Sequence, residues 1–145
     1  MIVGLTDSGS MPTLERVTQF TAARHALITH NIANLSTPNF RPTDVSVEGF
    51  QRQLGKALER RRRRPNPTRG DLPLADSREI RVSDRGLRLR PQQNARNVTF
   101  HDRNNRDLER LMQDLAENAM IHNAAISMMR SRVDILKTAI RERVS

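Results

Sequence analysis

The last third of the chain carries the feature that most constrains the fold, a long repeat of apolar side chains at intervals of three and four residues. With Met112 at heptad position a, nine of the ten core positions are apolar over more than four heptads, which is typical of a coiled-coil seam. The a positions are Met112, Ala119, Ile126, Val133 and Ile140, and the d positions are Leu108, Leu115, His122, Met129 and Leu136. We predict a C-terminal segment over residues 105–145 that contains a helix of about 38 residues, roughly 57 Å long. A helix of that length needs a partner to cover its seam.

The N-terminal segment, residues 1–40, supplies a candidate partner. A helix is predicted over about residues 13–34, because apolar side chains again recur at threes and fours. The apolar positions include Leu14, Val17, Phe20, Leu27 and Ile28. Arg24 and Asn31 interrupt this stripe where a strict seam would have apolar residues.

Together the two ends predict an all-α fold in which the long N- and C-terminal helices form an antiparallel coiled-coil-like hairpin. A helix of about 22 residues cannot cover one of about 38, so part of the C-terminal seam stays free for other subunits. Met112, Met120, Met128 and Met129 add adaptable apolar surface that suits such contacts. The alternative is an ordinary helical hairpin domain that needs no further partner.

The middle segment, residues 41–104, is predicted to be largely irregular and rich in arginine. The formal net charge is +9, and residues 41–96 hold +8 of it, from 15 basic and 7 acidic side chains. One short helix is predicted over about residues 49–64, with a weak hairpin around Asp84–Gly86 and loops elsewhere. Aromatic residues make up 3% of the chain, with no Trp and no Tyr. Burial should therefore come from aliphatic side chains on long elements rather than from a compact aromatic core.

Several classes of protein are disfavoured by the residues present. The chain has no Cys, which excludes disulfides and thiolate metal sites. His25 and His30 are five residues apart, which does not align two ligands on a helix face, and His122 is expected to set the register of the seam. No nucleophile–base pair or glycine-rich phosphate loop is present, so neither an enzyme nor a cofactor or metal site is expected. No cleaved signal and no membrane-spanning stretch are expected either.

Five consecutive arginines, Arg60–Arg64, close the predicted middle helix. Such a run can contact phosphate or an acidic protein partner, or it can be the solvated end of a helix, where cations favour the helix dipole. The lack of Tyr and Trp leaves little for nucleic-acid bases to stack on, so the solvated end is favoured. A small basic RNA- or ribosome-associated helical protein nevertheless remains the alternative function.

The segment Asn31–Phe40, with the sequence NIANLSTPNF, resembles the N-terminal signature of flagellar rod, hook and hook-associated proteins. Their pattern is roughly NIAN-x-x-TP-G-[YF], and the chain differs from it at Asn39, where the family usually has Gly. Asn is the next-best residue at a left-handed backbone position. Residues 115–120 and 136–140 are similar to the closing helix of the same family. Within it, the short chain and the segment Asp44–Phe50 resemble the proximal rod members.

This resemblance implies a structural subunit of the bacterial flagellar basal body that transmits torque in motility. It further implies export by the flagellar type III apparatus without a cleaved signal, and assembly in the periplasmic space. The implied partners are other rod proteins, the rod-to-ring adaptor, the membrane ring with its export gate, and further copies of the chain, with no nucleic acid and no membrane span. The residues expected at assembly interfaces are Leu14, Val17, Ile28, Asn31, Asn34, Pro38, Leu115, Ile126, Met129, Val133, Leu136 and Ile140.

Overall fold

A computed structural model describes residues 9–83, 86–93 and 105–142, with side chains described from residue 108 onward in the last range. The helices in this part are α1 (Met11–Ala33), α2 (Val47–Arg62) and α3 (Asn105–Glu142), and the strands are β1 (Thr43–Asp44), β2 (Ile80–Ser83), β3 (Gly86–Leu89) and β4 (Gln92–Gln93). The protein is therefore mostly helical, with long terminal helices as predicted. It also contains two small antiparallel strand pairs, β1–β4 and β2–β3, which an all-α class does not include.

Helix α1 begins two residues before the predicted start. Pro12 lies in the first turn, where a missing backbone N–H has no cost. Ser10 occupies the N-cap position but its side chain forms no capping hydrogen bond. At the other end the Asn34 side chain donates from Nδ2 to the carbonyl oxygen of His30 at 2.8 Å. The helix therefore ends at Ala33, and Asn34, the last residue of the NIAN sequence, caps it.

In the turn after α1, Asn39 adopts a conformation that accounts for the Gly usual at this position of the resembling family. Its φ angle is +61°, in the left-handed region that favours Gly and, after it, Asn. The backbone N–H of Thr37 donates to Asn34, and that of Phe40 donates to Thr37. These short-range bonds close the turn and direct the chain into β1.

Helix α2 starts at Val47 because Ser46 caps it. The Ser46 Oγ accepts from the N–H of Gly49 at 2.9 Å, and Glu79 accepts from the N–H of Ser46 at 2.7 Å. A carboxylate at this end also complements the helix dipole. The predicted helix over residues 49–64 is thus present, displaced by two residues toward the N-terminus.

Strands β2 and β3 form the predicted hairpin. Ile80 lies opposite Leu89, Arg81 opposite Arg88 and Val82 opposite Leu87. The side chains alternate between an inward apolar set and an outward charged set, as the two-residue period of a strand requires. Residues 84 and 85, between the two strands in sequence, lie outside the described residues.

A compact core forms between α1, α2 and the hairpin. Phe20 and Phe50 stack with ring centroids 4.0 Å apart, and the remaining buried members are Val45, Ala57, Leu72, Leu74 and Ile80. The prediction that residues 65–100 are mainly loop missed this contribution. Leu72 and Leu74 belong to no helix or strand, yet they are 1% and 8% exposed. The middle segment therefore folds onto α1, and the core is aliphatic around one aromatic pair.

Helix α1 lies between this core and α3, and it contacts α3, β1 and β3. Its buried residues are Met11, Pro12, Arg16, Phe20, Thr21, Arg24, Ile28 and Asn31. Helix α3 has the 38 residues predicted from its periodicity. The contacts between the two long helices determine which side of α3 faces the rest of the protein.

Candidate assembly surface

Polar side chains join α1 to α3. Asn118, only 2% exposed, donates from Nδ2 to the carbonyl oxygen of Thr21 at 2.9 Å. The Thr21 hydroxyl lies 2.8 Å from Nδ1 of His122, and the Thr18 hydroxyl lies 3.6 Å from the sulfur of Met129. A buried amide that meets its hydrogen-bonding needs fixes one relative position of two helices, because any shift leaves it unsatisfied.

Arg24 extends this connection to a third element. Its guanidinium donates to Asp44 in β1 at 2.9 and 3.2 Å and lies 3.5 Å from Asp114 in α3. The arginine side chain is 7% exposed, whereas the two carboxylates are 26% and 28% exposed. Burial lowers the pKa of Arg24, but the hydrogen bond and charge of Asp44, with a smaller contribution from Asp114, outweigh it and raise the pKa overall. The guanidinium therefore remains charged and holds three elements together.

Asn31 makes a similar connection to the backbone of β1. Its Nδ2 donates to the carbonyl oxygen of Thr43 at 2.6 Å, and its Oδ1 accepts from the Thr43 N–H at 3.3 Å. The side-chain amide thus satisfies both backbone groups of one residue, as a neighbouring strand would. The first Asn of the NIAN segment is therefore a structural residue of the subunit.

The order of contacts along the two long helices runs in opposite directions. Arg24 meets Asp114, Thr21 meets Asn118 and His122, and Thr18 meets Met129. Among the described side chains of α3, the buried ones are Asn118 and Ala125, each one residue before a predicted a position. Among the predicted d positions, Leu115, His122, Met129 and Leu136 are half-buried. The face of α3 that packs on α1 is thus rotated slightly from the face that the apolar periodicity predicts.

The residues predicted at assembly interfaces fall into three groups. Ile28 and Asn31 are buried inside the subunit. Half-buried side chains are Leu14, Val17, Asn34, Leu115, Ile126, Met129 and Leu136. Exposed ones are Pro38, Val133 and Ile140. The structure therefore brings some of them into the contact between α1 and α3 and leaves others at the surface.

Helix α3 carries an exposed apolar surface. Within the described residues, every large hydrophobic side chain classed as exposed belongs to this helix, with exposed fractions from 37% to 68%. We call this set the α3 apolar surface, and its members are Leu108, Met112, Met120, Ile121, Met128, Val133, Ile135 and Ile140. Ile121, Met128 and Ile135 are seven residues apart, so they share one side of the helix. This second stripe was not predicted, although the same period that revealed the seam could have identified it.

The exposed apolar stripe of Ile121, Met128 and Ile135 on one side of α3 is typical of a surface that contacts another protein. No protein-family model matches the chain, and no solved structure matches it significantly. The chain is similar to a flagellar rod protein. The flagellar basal body rod protein FlgB of Bacillus subtilis (strain 168) is 26% identical over 133 residues, which cover 92% of this chain and 94% of FlgB. The similarity to FlgB supports the resemblance seen in the Asn31–Phe40 segment, and it extends across the middle of the chain.

The arginine run at the end of α2 has two parts. Arg61 is 3% exposed and donates to the carbonyl oxygens of Gly9 at 2.8 Å and Thr68 at 3.3 Å. Arg60, Arg62, Arg63 and Arg64 are exposed, which agrees with the favoured interpretation as a solvated helix end. One arginine of the run therefore holds the following loop, a role that the repeated sequence does not reveal.

The described residues offer little for other kinds of site. In those ranges, no group of three or more His, Cys, Asp or Glu side chains is placed to hold a metal ion. None of the helices described combines the length and apolar character required to cross a bilayer. The feature of this part of the chain that points to a function is thus the α3 apolar surface.

Proposed function

We propose that the chain is a structural subunit of the flagellar basal-body rod, in its proximal part, and that it polymerises through its terminal helices to transmit torque. It has no catalytic role in this proposal. The similarity to FlgB over nearly the full length of both chains supports the rod assignment. The concentration of exposed apolar side chains on α3 is the observation that carries the proposed mode of assembly.

Burial of the α3 apolar surface would supply the driving force for assembly. Covering a Met or Ile side chain contributes about 1.5–3 kcal/mol, and part of this is offset by the loss of freedom on association. Val133, Leu136 and Ile140 would contact neighbouring subunits in this proposal, together with Met128 and Ile135. Ile28 and Asn31 would contribute indirectly, because they maintain the fold on which α3 lies.

The subunit would be exported by the flagellar type III apparatus without a cleaved signal and assemble in the periplasmic space. Its neighbours would be other rod proteins, further copies of the chain, and the adaptor next to the membrane ring and export gate. In the rod, α1 and α3 would form an antiparallel coiled-coil-like hairpin, completed by helices of adjacent subunits. The exposed part of α3 would become fully ordered only when neighbouring subunits cover it, and this coupling would keep subunits from polymerising before export.

Two double variants of α3 test this function. Met128→Asp/Ile135→Asp places charges on two residues that are each 58% exposed, so the isolated fold should tolerate them. In a strain without its own copy of the gene, this variant should be produced normally but should not restore rod assembly or motility. Asn123→Asp/Ser127→Asp adds the same charge at exposed polar positions of the same helix and should restore both. Normal motility with Met128→Asp/Ile135→Asp would contradict the proposal.

The alternative, a basic RNA-associated protein, draws on the four exposed arginines between residues 60 and 64. For the strains with the α3 substitutions, this alternative predicts normal motility. Salt-sensitive RNA binding that is lost in Arg62→Gln/Arg63→Gln, with motility unaffected by the α3 substitutions, would favour this alternative. If the chain does not bind RNA at moderate salt and the α3 substitutions abolish motility, the rod function is favoured.

A further inference from the structure

The outward face of the β2–β3 hairpin presents three arginines. Arg81 and Arg88 lie directly opposite each other, and Arg90 follows Arg88 by two residues, on the same face. All three are exposed. The opposite face carries Ile80, Val82, Leu87 and Leu89, which pack on the core. We call Arg81, Arg88 and Arg90 the hairpin arginine face.

This arrangement is unfavourable for the hairpin alone. Like charges directly opposite in an antiparallel pair are destabilising, and within the described residues neither Arg81 nor Arg88 forms an ion pair. Glu79 lies beside Arg90, and its carbonyl oxygen accepts from the N–H of Arg90. The Glu79 carboxylate, however, accepts from the N–H of Ser46 at the start of α2. The described part of the subunit thus holds three positive charges together without an ion pair to a carboxylate.

We propose that the hairpin arginine face binds an acidic segment of a partner protein through Asp or Glu side chains. Residues opposite each other in a strand pair are about 5 Å apart, and residues two apart in one strand are about 7 Å apart. Alternate side chains of an extended acidic segment have the same spacing of about 7 Å. Each guanidinium can bind one carboxylate through two parallel hydrogen bonds, which a lysine cannot do.

Other occupants fit this face less well. The apolar side chains of the hairpin point into the core, so none is available to anchor a lipid surface. Phe20 and Phe50 are buried and the chain has no Trp or Tyr, which leaves little for nucleic-acid bases to stack on. A second copy, which contacts its neighbours through α3 in the proposed function, has a formal net charge of +9 and is a poorer match to this face than an acidic segment. The preference for protein carboxylates over nucleic-acid phosphates also rests on the proposed function, because rod subunits assemble outside the cytoplasm in that proposal.

A short labelled peptide of alternating Glu and Thr is a suitable probe, with alternating Gln and Thr as its neutral control. Fluorescence anisotropy at fixed ionic strength would measure binding to the full chain. Arg81→Gln/Arg88→Gln should weaken binding by about tenfold or more, because two charge-assisted contacts are lost. The matched variant Arg62→Gln/Arg63→Gln removes the same charge from exposed positions at the end of α2, and its affinity should stay within about twofold of the unmodified chain. Equal weakening in both variants, or in neither, would overturn the proposal.

A second variant separates loss of binding from loss of folding. Arg88→Glu places opposite charges across the strand pair, so the thermal midpoint should rise while peptide binding is lost. A lower midpoint would contradict the proposed strain between the arginines. Binding of phosphatidylglycerol vesicles or single-stranded RNA in place of the acidic peptide would also reject it. Met128→Asp/Ile135→Asp should bind the peptide normally. If Arg81→Gln/Arg88→Gln also binds the peptide normally, this inference fails. The rod function still stands in that case, provided that Met128→Asp/Ile135→Asp abolishes motility.

Discussion

The two long helices contact each other, yet their surroundings differ. Helix α1 is covered on two sides, by α3 and by the core of α2 and the hairpin, and eight of its residues are buried. Helix α3 is longer, but its buried residues in the described part are Asn118 and Ala125. Eight large apolar side chains of α3 are exposed. The shorter helix organises the subunit, and the longer one leaves most of its apolar surface available.

This difference indicates a division between folding and assembly. Buried apolar surface stabilises the isolated subunit, whereas exposed apolar surface contributes only when a partner covers it. Equivalent substitutions in α1 and α3 should therefore have opposite consequences. Changes in α1 should lower the stability of the isolated chain, and changes on the α3 apolar surface should act on assembly.

The largest loss of stability is expected for Arg24→Leu. It removes a buried charge and leaves Asp44 and Asp114 without their partner, which should lower the free energy of unfolding by about 3–4 kcal/mol. Urea denaturation would measure this loss. Arg16→Leu, on the same helix, is the matched control, because the Asp71 that pairs with Arg16 is 66% exposed and should contribute only about 1 kcal/mol. Equal losses would show that Arg24 does not join the elements.

The effect of Arg24→Leu should not depend on pH near neutrality. The pKa of Arg24 is raised in the folded protein. A raised pKa stabilises the fold at every pH below the unfolded value, and that stabilisation is lost only as pH rises through the folded value. Both values are strongly alkaline, so the difference between the two proteins should be constant from about pH 6 to about pH 9. A steep change within that window would indicate that another group controls the contact.

Ile28 and Ile135 form a matched pair of isoleucines on the two long helices. Ile28 is 1% exposed in α1, and Ile135 is 58% exposed in α3. Ile28→Ala should reduce the free energy of unfolding by about 2–3 kcal/mol, because it removes buried methyl groups and leaves a cavity. Ile135→Ala should change the stability of the isolated chain by less than about 0.5 kcal/mol. Similar losses at the two positions would mean that α3 is covered in the isolated chain.

A smaller effect is expected at the contact between the helices. Asn118→Ala removes the hydrogen bond to the carbonyl oxygen of Thr21 and should cost about 1–2 kcal/mol. Asn123→Ala, at an exposed position of α3, should have little effect on thermal unfolding. If both variants melt at the same temperature as the unmodified chain, Asn118 does not contribute to the contact.

The smallest effect is expected at the turn after α1. Asn39 has a φ angle of +61°. This conformation destabilises the fold by about 1 kcal/mol when the residue has a Cβ but no side chain that can form a local hydrogen bond. Asn39→Ala should therefore lower the thermal midpoint slightly, whereas Asn39→Gly should leave it unchanged or raise it. The reverse order would show that the Asn side chain, rather than its backbone conformation, matters at this position.

The sequence allowed some parts of the fold to be predicted better than others. Both long helices, the short middle helix and the left-handed Asn39 depend on local patterns, which are visible within a few turns. Arg24 and Asn31 were interpreted as interruptions of an apolar stripe. Their partners, Asp44, Asp114 and Thr43, are between 12 and 90 residues away, so no local pattern connects them.

The inward face of α3 and the core of the middle segment were missed for related reasons. Heptad periodicity selects apolar positions, but the buried ridge includes Asn118, whose amide has a hydrogen-bond acceptor on α1. Leu72 and Leu74 are separated by Pro73 in a segment without regular structure, where periodicity gives little information. Their burial depends on α2 and the hairpin, which pack around them only in the folded chain.

Hydrogen exchange offers the most direct test of the division between the two helices. Peptide-resolved exchange would be compared for the isolated chain and for the same chain assembled in basal bodies. The amides of α1 should be protected in both states. Those of α3 beyond residue 130 should exchange rapidly in the isolated chain and become protected on assembly. Equal protection of this part of α3 in both states would contradict the division of folding and assembly between the two helices.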